Sequence, residues 1–203
     1  MSRLSLIITS VVLALALAAP AKAYNVVSTN WTVNCVFSPT CSVVVNDYGY
    51  DFPISGGAGN ARLQSRIFQG QPGSPAAGKY VYEYRMILTN VAGIVNIPYV
   101  DQMAVYNFGP VLQFDYNSDA VATDHVFYST SGLGSKGIAS SYAFFGWTYF
   151  NFTSPIYAGN YVGGGESSYF YGLVSNYPPV LRNISVHTDS GWVTVQGYAP
   201  QYP

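Results

Sequence analysis

Past residue 24 the chain is cut into twelve short runs of apolar and aromatic residues, at 26–33, 42–45, 62–68, 80–89, 94–100, 103–108, 111–116, 125–129, 142–153, 168–174, 181–188 and 192–198. Turn-forming clusters stand between them, among them SGGAGN, GQPGSPAAG, SGLGSKG, AGNYVGGG and NYPPV. A helix buries one face only if apolar residues recur every third or fourth position, and almost none of this sequence supplies that spacing. Many short strands with Gly/Pro-rich turns predict an all-β fold, a single antiparallel β-sandwich of jelly-roll or Ig-like type. No repeat and no linker interrupts residues 24–203, which read as one domain of ordinary size. The run at 80–88 alternates most clearly: Tyr80, Tyr82, Tyr84, Met86 and Leu88 take the core face, and Glu83 and Arg85 the outer one. Pro98 cannot donate to a ladder, so the 94–100 run is expected at an edge or a bend.

Residues 1–23 read as a cleaved signal peptide. Arg3 supplies the charged start, an apolar run follows to Ala18, and Ala21-Lys22-Ala23 fits a small-x-small cleavage site. The apolar run is short for a bilayer span and none of spanning length follows, so a mature chain without a membrane span is expected outside the cytoplasm, extracellular, at the cell surface or in a periplasm. Without Arg3 and Lys22, six basic residues face nine acidic ones, a net charge of −3 that excludes the basic footprint of a nucleic-acid binder. Charged residues make up 8% of the chain, against about 25% in ordinary globular proteins. With 19 Tyr and 20 Gly, the surface must be solvated by Tyr, Asn, Ser and Thr, and such surfaces adhere and associate. The two cysteines, Cys35 and Cys41, bracket a short loop around Ser38-Pro39. Export favours a disulfide between them, worth roughly 2 kcal/mol by loop entropy. Redox or metal use would want CxxC spacing or histidine partners, and neither is nearby.

Residues 142–152, YAFFGWTYFNF, hold seven aromatic rings in eleven positions. As one strand, this stretch puts Phe144, Phe150 and Phe152 in the core and turns Phe145, Trp147, Tyr149 and Asn151 outward. Such an outward row is a candidate for stacking on the apolar faces of sugar rings, or for burial under a loop or another subunit. Burial is expected for Trp147, with Tyr149 and Asn151 towards the rim.

The stretch FDYNSDAVATDHVF places Asp115, Asn117, Asp119 and Asp124 as candidate oxygen ligands for calcium, a possible stabilising ion in a chain that otherwise requires no cofactor. Ala120 and Val126 stand where an EF-type loop has Gly and Glu, so that motif is excluded. The alternative is a solvated turn in which the carboxylates cap backbone donors. Gly132-x-Gly134-x-x-Gly137 imitates a dinucleotide fingerprint but lacks the following helix and acid, and is expected to be a flexible loop. His125 and His187 have no partner ligands in sequence. No G-x-S-x-G elbow occurs, and nothing in the spacing selects a carboxylate pair from Glu83, Glu166 and the aspartates. Asn30, Asn151 and Asn183 head N-x-S/T triplets.

The segments KYVYEYRMILTN, FDYNSDAVATDHVF and GESSYFYGLVSNYPP resemble those of secreted bacterial β-sandwich proteins exported with a PEP-CTERM sorting tail, over residues 79–189. That resemblance implies a sandwich fold and export. It carries over no catalytic residue, and this sequence ends GWVTVQGYAPQYP, without the PEP box. The expected function is that of a non-enzymatic extracellular structural or adhesive protein of an envelope, matrix or surface layer, partnered by itself or other surface proteins. The competing classes are a carbohydrate-binding module for polysaccharide and, behind it, a secreted hydrolase.

Overall fold

The computed structural model describes residues 20–30 and 41–203. Most of the expected signal peptide, Trp31 and Cys35 lie outside the described residues, so neither the processing nor the Cys35–Cys41 bridge is visible in the fold. Within them the chain is all-β. In chain order the strands are β1 (Lys22–Tyr24), β2 (Val26–Thr29), β3 (Cys41–Pro53), β4 (Gly57–Ala58), β5 (Asn60–Gly70), β6 (Tyr80–Ile87), β7 (Ala92–Gly93), β8 (Tyr99–Tyr106), β9 (Val126–Ser129), β10 (Ile138–Phe144), β11 (Trp147–Tyr157), β12 (Phe170–Ser175), β13 (Pro179–Thr188) and β14 (Gly191–Pro200). Two six-stranded sheets form the sandwich. The front sheet runs β1-β10-β11-β8-β13-β14 and the back sheet β2-β9-β12-β6-β5-β3, with β4 and β7 as a small ribbon at one end. All strand pairs are antiparallel except β2 with β9, which is parallel.

Alternation decides what lies between the sheets. The back sheet contributes Leu63, Ile67, Tyr82, Tyr84, Met86, Tyr171 and Leu173, and the front sheet Met103, Val105, Phe150, Ile184, Val186 and Val195. One inward row crosses the whole front sheet as Tyr24, Ser141, Phe150, Met103, Val186 and Val193. The core tyrosines bring hydroxyls inside, and each finds a partner: Tyr82 donates to the Tyr177 carbonyl at 2.8 Å, Tyr84 to the Tyr198 carbonyl at 2.7 Å, and Tyr171 to Met103 Sδ at 3.1 Å. β12 lies so close to β6 that a Cβ on Gly172 would meet the Tyr82 carbonyl oxygen at 1.9 Å. Only glycine fits there.

Three expected strands change character. The 94–100 run becomes a strand only from Tyr99, after Pro98, whose carbonyl accepts the Ala158 N–H at 2.9 Å. The 111–116 run forms no strand. It belongs to a segment, 109–124, that folds over the outer face of the back sheet, held by the Phe114–Asp124 bridge and the Leu112 N–H to Val174 carbonyl bond at 3.2 Å. Its alternation is real, because Phe114 and Tyr116 point down onto Phe68, Val81, Phe127 and Val174. Alternation reports one buried side, however, and not a ladder. Glu83, on the same outer face and opposite Arg66 in the sheet register, is 1% exposed; the sequence shows its outward direction but not its burial. The 142–153 run is the third case and shapes the site described next. The SGLGSKG loop is pinned rather than loose: the Ser135 N–H bonds the Ser167 carbonyl at 2.9 Å, and Lys136 pairs with Glu166 at 3.0 Å.

The expected cleavage point falls inside β1. A chain starting at Tyr24 would keep the stacking of that ring on His125, at 5.1 Å between centroids, but lose the pairing of Lys22 and Ala23 with β10.

Candidate functional site

Phe145 and Gly146 adopt φ of 46° and 79°, the left-handed pair of a two-residue type I′ hairpin turn. The stretch 142–152 is therefore two strands and not one. The reversal sets Phe144 opposite Trp147, Tyr142 opposite Tyr149 and Ser141 opposite Phe150, and opposed residues share a face. Phe150 and Phe152 remain in the core, at 0% and 6% exposure, while Phe144 turns outward at 37%. Phe145 sits on the turn, 62% exposed, edge-on to Phe144 at 4.3 Å, apart from the other three residues of its expected row.

Register carries the outward residues across the front sheet in rows. One row reads Tyr142, Tyr149, Ala104, Ser185, Thr194; the next reads Ser140, Asn151, Gln102, His187, Trp192; a third begins Phe144, Trp147, Tyr106. Large rings on β11 and at the start of β14 thus flank small residues on β8 and β13. The rings form a continuous arc, Tyr106 to Trp147 at 5.1 Å, Trp147 to Tyr149 at 6.5 Å, Tyr149 to Trp192 at 6.4 Å and Trp192 to His187 at 5.0 Å. Tyr142 stacks behind Tyr149 at 4.7 Å and 14°. Ala104 and Ser185 form the floor inside the arc. Tyr106 and Trp192 are half exposed, at 53% and 50%, so the face is open. Trp147, expected to be buried, is only half-buried on that open face, because it projects away from the core beside Tyr106.

The arc encloses a groove made of three adjoining depressions. The first, about 410 Å³, lies between Tyr106, Trp147, Asn183 and Thr194; the second, about 290 Å³, sits over Ala104 and Ser185; the third, about 470 Å³, lies among Gln102, Asn151, His187 and Trp192. These are the dimensions of small-ligand clefts. Its polar groups are prearranged. Asn151 accepts a hydrogen bond from the Gln102 amide and donates its own to Ser140 Oγ at 2.8 Å, and His187 Nδ1–H donates to Asp101 Oδ1 at 2.7 Å. Burial, with Tyr142 alongside, pushes the Tyr149 hydroxyl above the ordinary tyrosine range.

The acidic loop lies elsewhere, on the cover of the back sheet. Asp115 accepts the backbone N–H groups of Asp119 and Ala120 at 3.0 and 2.9 Å, and Asp119 accepts that of Val121 at 2.8 Å. Asn117 bonds Asp119 through both its carbonyl and its amide. Asp124, 1% exposed, points the other way, accepting the Tyr116 N–H at 3.0 Å and the Asn25 amide at 2.8 Å. The fold thus brings three of the four candidates together as turn caps and gives the fourth a separate structural task. Among the described residues no group of three or more His, Cys, Asp or Glu is placed to hold a metal ion. Glu166 likewise serves structure, taking the Tyr157 N–H at 3.0 Å besides Lys136.

Sequence reasoning missed Tyr106, Trp192, Tyr142, Ala104 and Ser185. Gly146 between two aromatic runs is the turn signal that would have regrouped the rings, and Trp192 alternates out of phase with core Val193 and Val195. No protein family, curated protein or solved structure matches the chain.

Proposed function

We propose that this is an exported, non-enzymatic protein that adheres by binding glycan in the groove of its front sheet. The observation that carries this is the open arc of five rings around a floor of small residues, with amide and hydroxyl groups beside it. Sugar rings offer apolar C–H faces to aromatics and hydroxyls to amides, and this groove supplies both on a rigid sheet. A glycosidase would place two carboxylates across the cleft. Among the described residues the groove is lined by one, Asp101, which is bonded to His187. The signal-like leader and the resemblance to exported sandwich proteins support a location outside the cytoplasm, and the same compartment supports a Cys35–Cys41 bridge, checked by intact mass with and without reductant. The binding test is a glycan array with mature protein. Saturable binding that disappears in Trp192→Ala, with the unfolding midpoint unchanged, is expected; no binding to any glycan would remove the proposal.

One observation favours self-assembly as a second reading. β14 is an edge strand ten residues long whose sequence, GWVTVQGYAP, carries no charge. The opposite sheet's edge, β3, is broken by two register shifts and carries the Asp51–Arg62 ion pair. Unguarded edges invite pairing with another strand. Size-exclusion chromatography with light scattering tests this: a monomer at high concentration would leave glycan adhesion alone.

A further inference from the structure

Resting on the glycan reading, we infer that the groove takes a single, soluble, electrically neutral glycan chain and not the flat surface of an insoluble polysaccharide. A crystalline face needs its rings coplanar and raised, so that all touch one plane. Here successive rings are rotated against each other by 56° (Tyr106–Trp147), 39° (Trp147–Tyr149) and 69° (Tyr149–Trp192). No plane lies flat against all of their faces. They instead stand around and over a trough floor of small residues, Ser185 and Ala104, the latter 1% exposed beneath them.

The trough has length as well as depth. Its depressions share Trp147 and Ser185 at one junction and Trp192 at the other, where Tyr149 and Trp192 approach to 6.4 Å across β8 and β13, and they follow β8 from Tyr106 to Asp101. Five strand steps cover about 16 Å, enough to seat more than one pyranose ring. Twisted ring planes suit a free chain, whose successive sugars can rotate about their linkages to meet each ring in turn.

Few charges line the groove: the Asp101–His187 pair at one end and Arg182 at the other. Asp101 bonds His187 at 2.7 Å, and the Arg182 guanidinium donates to the Tyr202 carbonyl at 3.3 Å. What faces the trough beyond these is amide and hydroxyl: Gln102, Asn151, Asn183, Ser185 and Thr194. Such groups recognise hydroxyls, and they offer no cationic row for uronate or sulfate.

Ser185→Phe tests the trough itself. The residue points away from the core on the outer row, so a larger side chain fills the floor without entering the interior. The probes are soluble xyloglucan, mixed-linkage glucan and galactomannan, insoluble microcrystalline cellulose and chitin, and anionic pectate and alginate. Wild type is expected to be retarded in gels containing at least one soluble neutral polymer and to remain free of the insoluble and anionic ones. Ser185→Phe should weaken that binding at least tenfold, with Trp192→Ala as the second variant should Ser185→Phe fail to fold. Binding confined to insoluble or anionic probes would overturn this inference and leave glycan adhesion standing. Binding to none would overturn both. Undiminished binding by a folded Ser185→Phe would place the ligand outside the trough.

Discussion

Both sheets carry aromatic rings on the faces turned away from the core, yet only one face has a roof. Over the back sheet, segment 109–124 lays Phe114 and Tyr116 onto Phe68, Val81, Phe127 and Val174, and every one of these residues is buried. On the front sheet Trp147, Tyr149, Tyr106 and Trp192 contact one another while staying partly exposed. The same residue types therefore do different work. Under the roof, rings exchange water for protein and stabilise the fold; in the open groove, their faces stay available to a ligand. The roofed rings are covered by the chain itself; the open rings are where the proposed ligand would sit.

The largest test of that contrast is a pair of truncations. Phe127→Ala under the roof should cost about 3–5 kcal/mol in denaturant unfolding, as for a fully buried ring. Trp192→Ala in the groove should stay within about 0.5 kcal/mol. Equal costs would mean that the front face is as structural as the back. Asp124→Ala comes next. It strips two hydrogen bonds from a buried carboxylate that ties Tyr116 in the roof to Asn25, and about 2–3 kcal/mol should be lost. A loss below about 0.5 kcal/mol would mean that the roof is not anchored there.

Alkaline titration separates buried hydroxyls from the rest. Burial pushes Tyr82, Tyr84, Tyr116 and Tyr171 well above the ordinary tyrosine range. Their folded values are raised, so their contribution is complete below the unfolded value near pH 10 and is lost as pH rises beyond it. Tyrosinate absorbance from these four should appear only together with loss of β-sheet circular dichroism, and ionisation in a folded protein would contradict their burial. A smaller effect is expected at the hairpin tip. Phe145 holds φ of 46°, and Asn, at home in type I′ turns, should stabilise the fold by about 1 kcal/mol. No gain in melting temperature would mean that the tip is held by something other than its turn. Smallest is the effect of calcium. Because Asp115 and Asp119 already serve backbone donors, chelator should leave the melting temperature unchanged. A rise equivalent to about 2.7 kcal/mol at 100-fold over Kd would show the turn rearranging into a site.

The sandwich was legible because alternation and turn chemistry are local. Tyr82, Tyr84 and Met86 face the core in the phase that the sequence dictates. The groove was only partly legible because its composition depends on register between strands far apart in the chain. Trp147 meets Tyr106 across 41 positions, and Trp192 closes the arc from the last hairpin. The roof was hidden for a similar reason. The 111–116 alternation is the same whether that segment joins a ladder or lies across one, and what decides it is the bridge between Phe114 and Asp124. Phe145 was misplaced by treating 142–152 as continuous, when Gly146 permits the reversal that sends Phe144 outward.

Two of the three tryptophans, Trp147 and Trp192, line the groove, and the third is Trp31. Fluorescence of a Trp31→Phe protein, titrated with soluble xyloglucan, mixed-linkage glucan and galactomannan, therefore reads the front face alone. A saturable blue shift with protection from acrylamide quenching, for at least one of these polymers, is the predicted result. Unchanged emission and quenching across the whole panel would contradict the claim that the open aromatic face is where this protein meets its ligand.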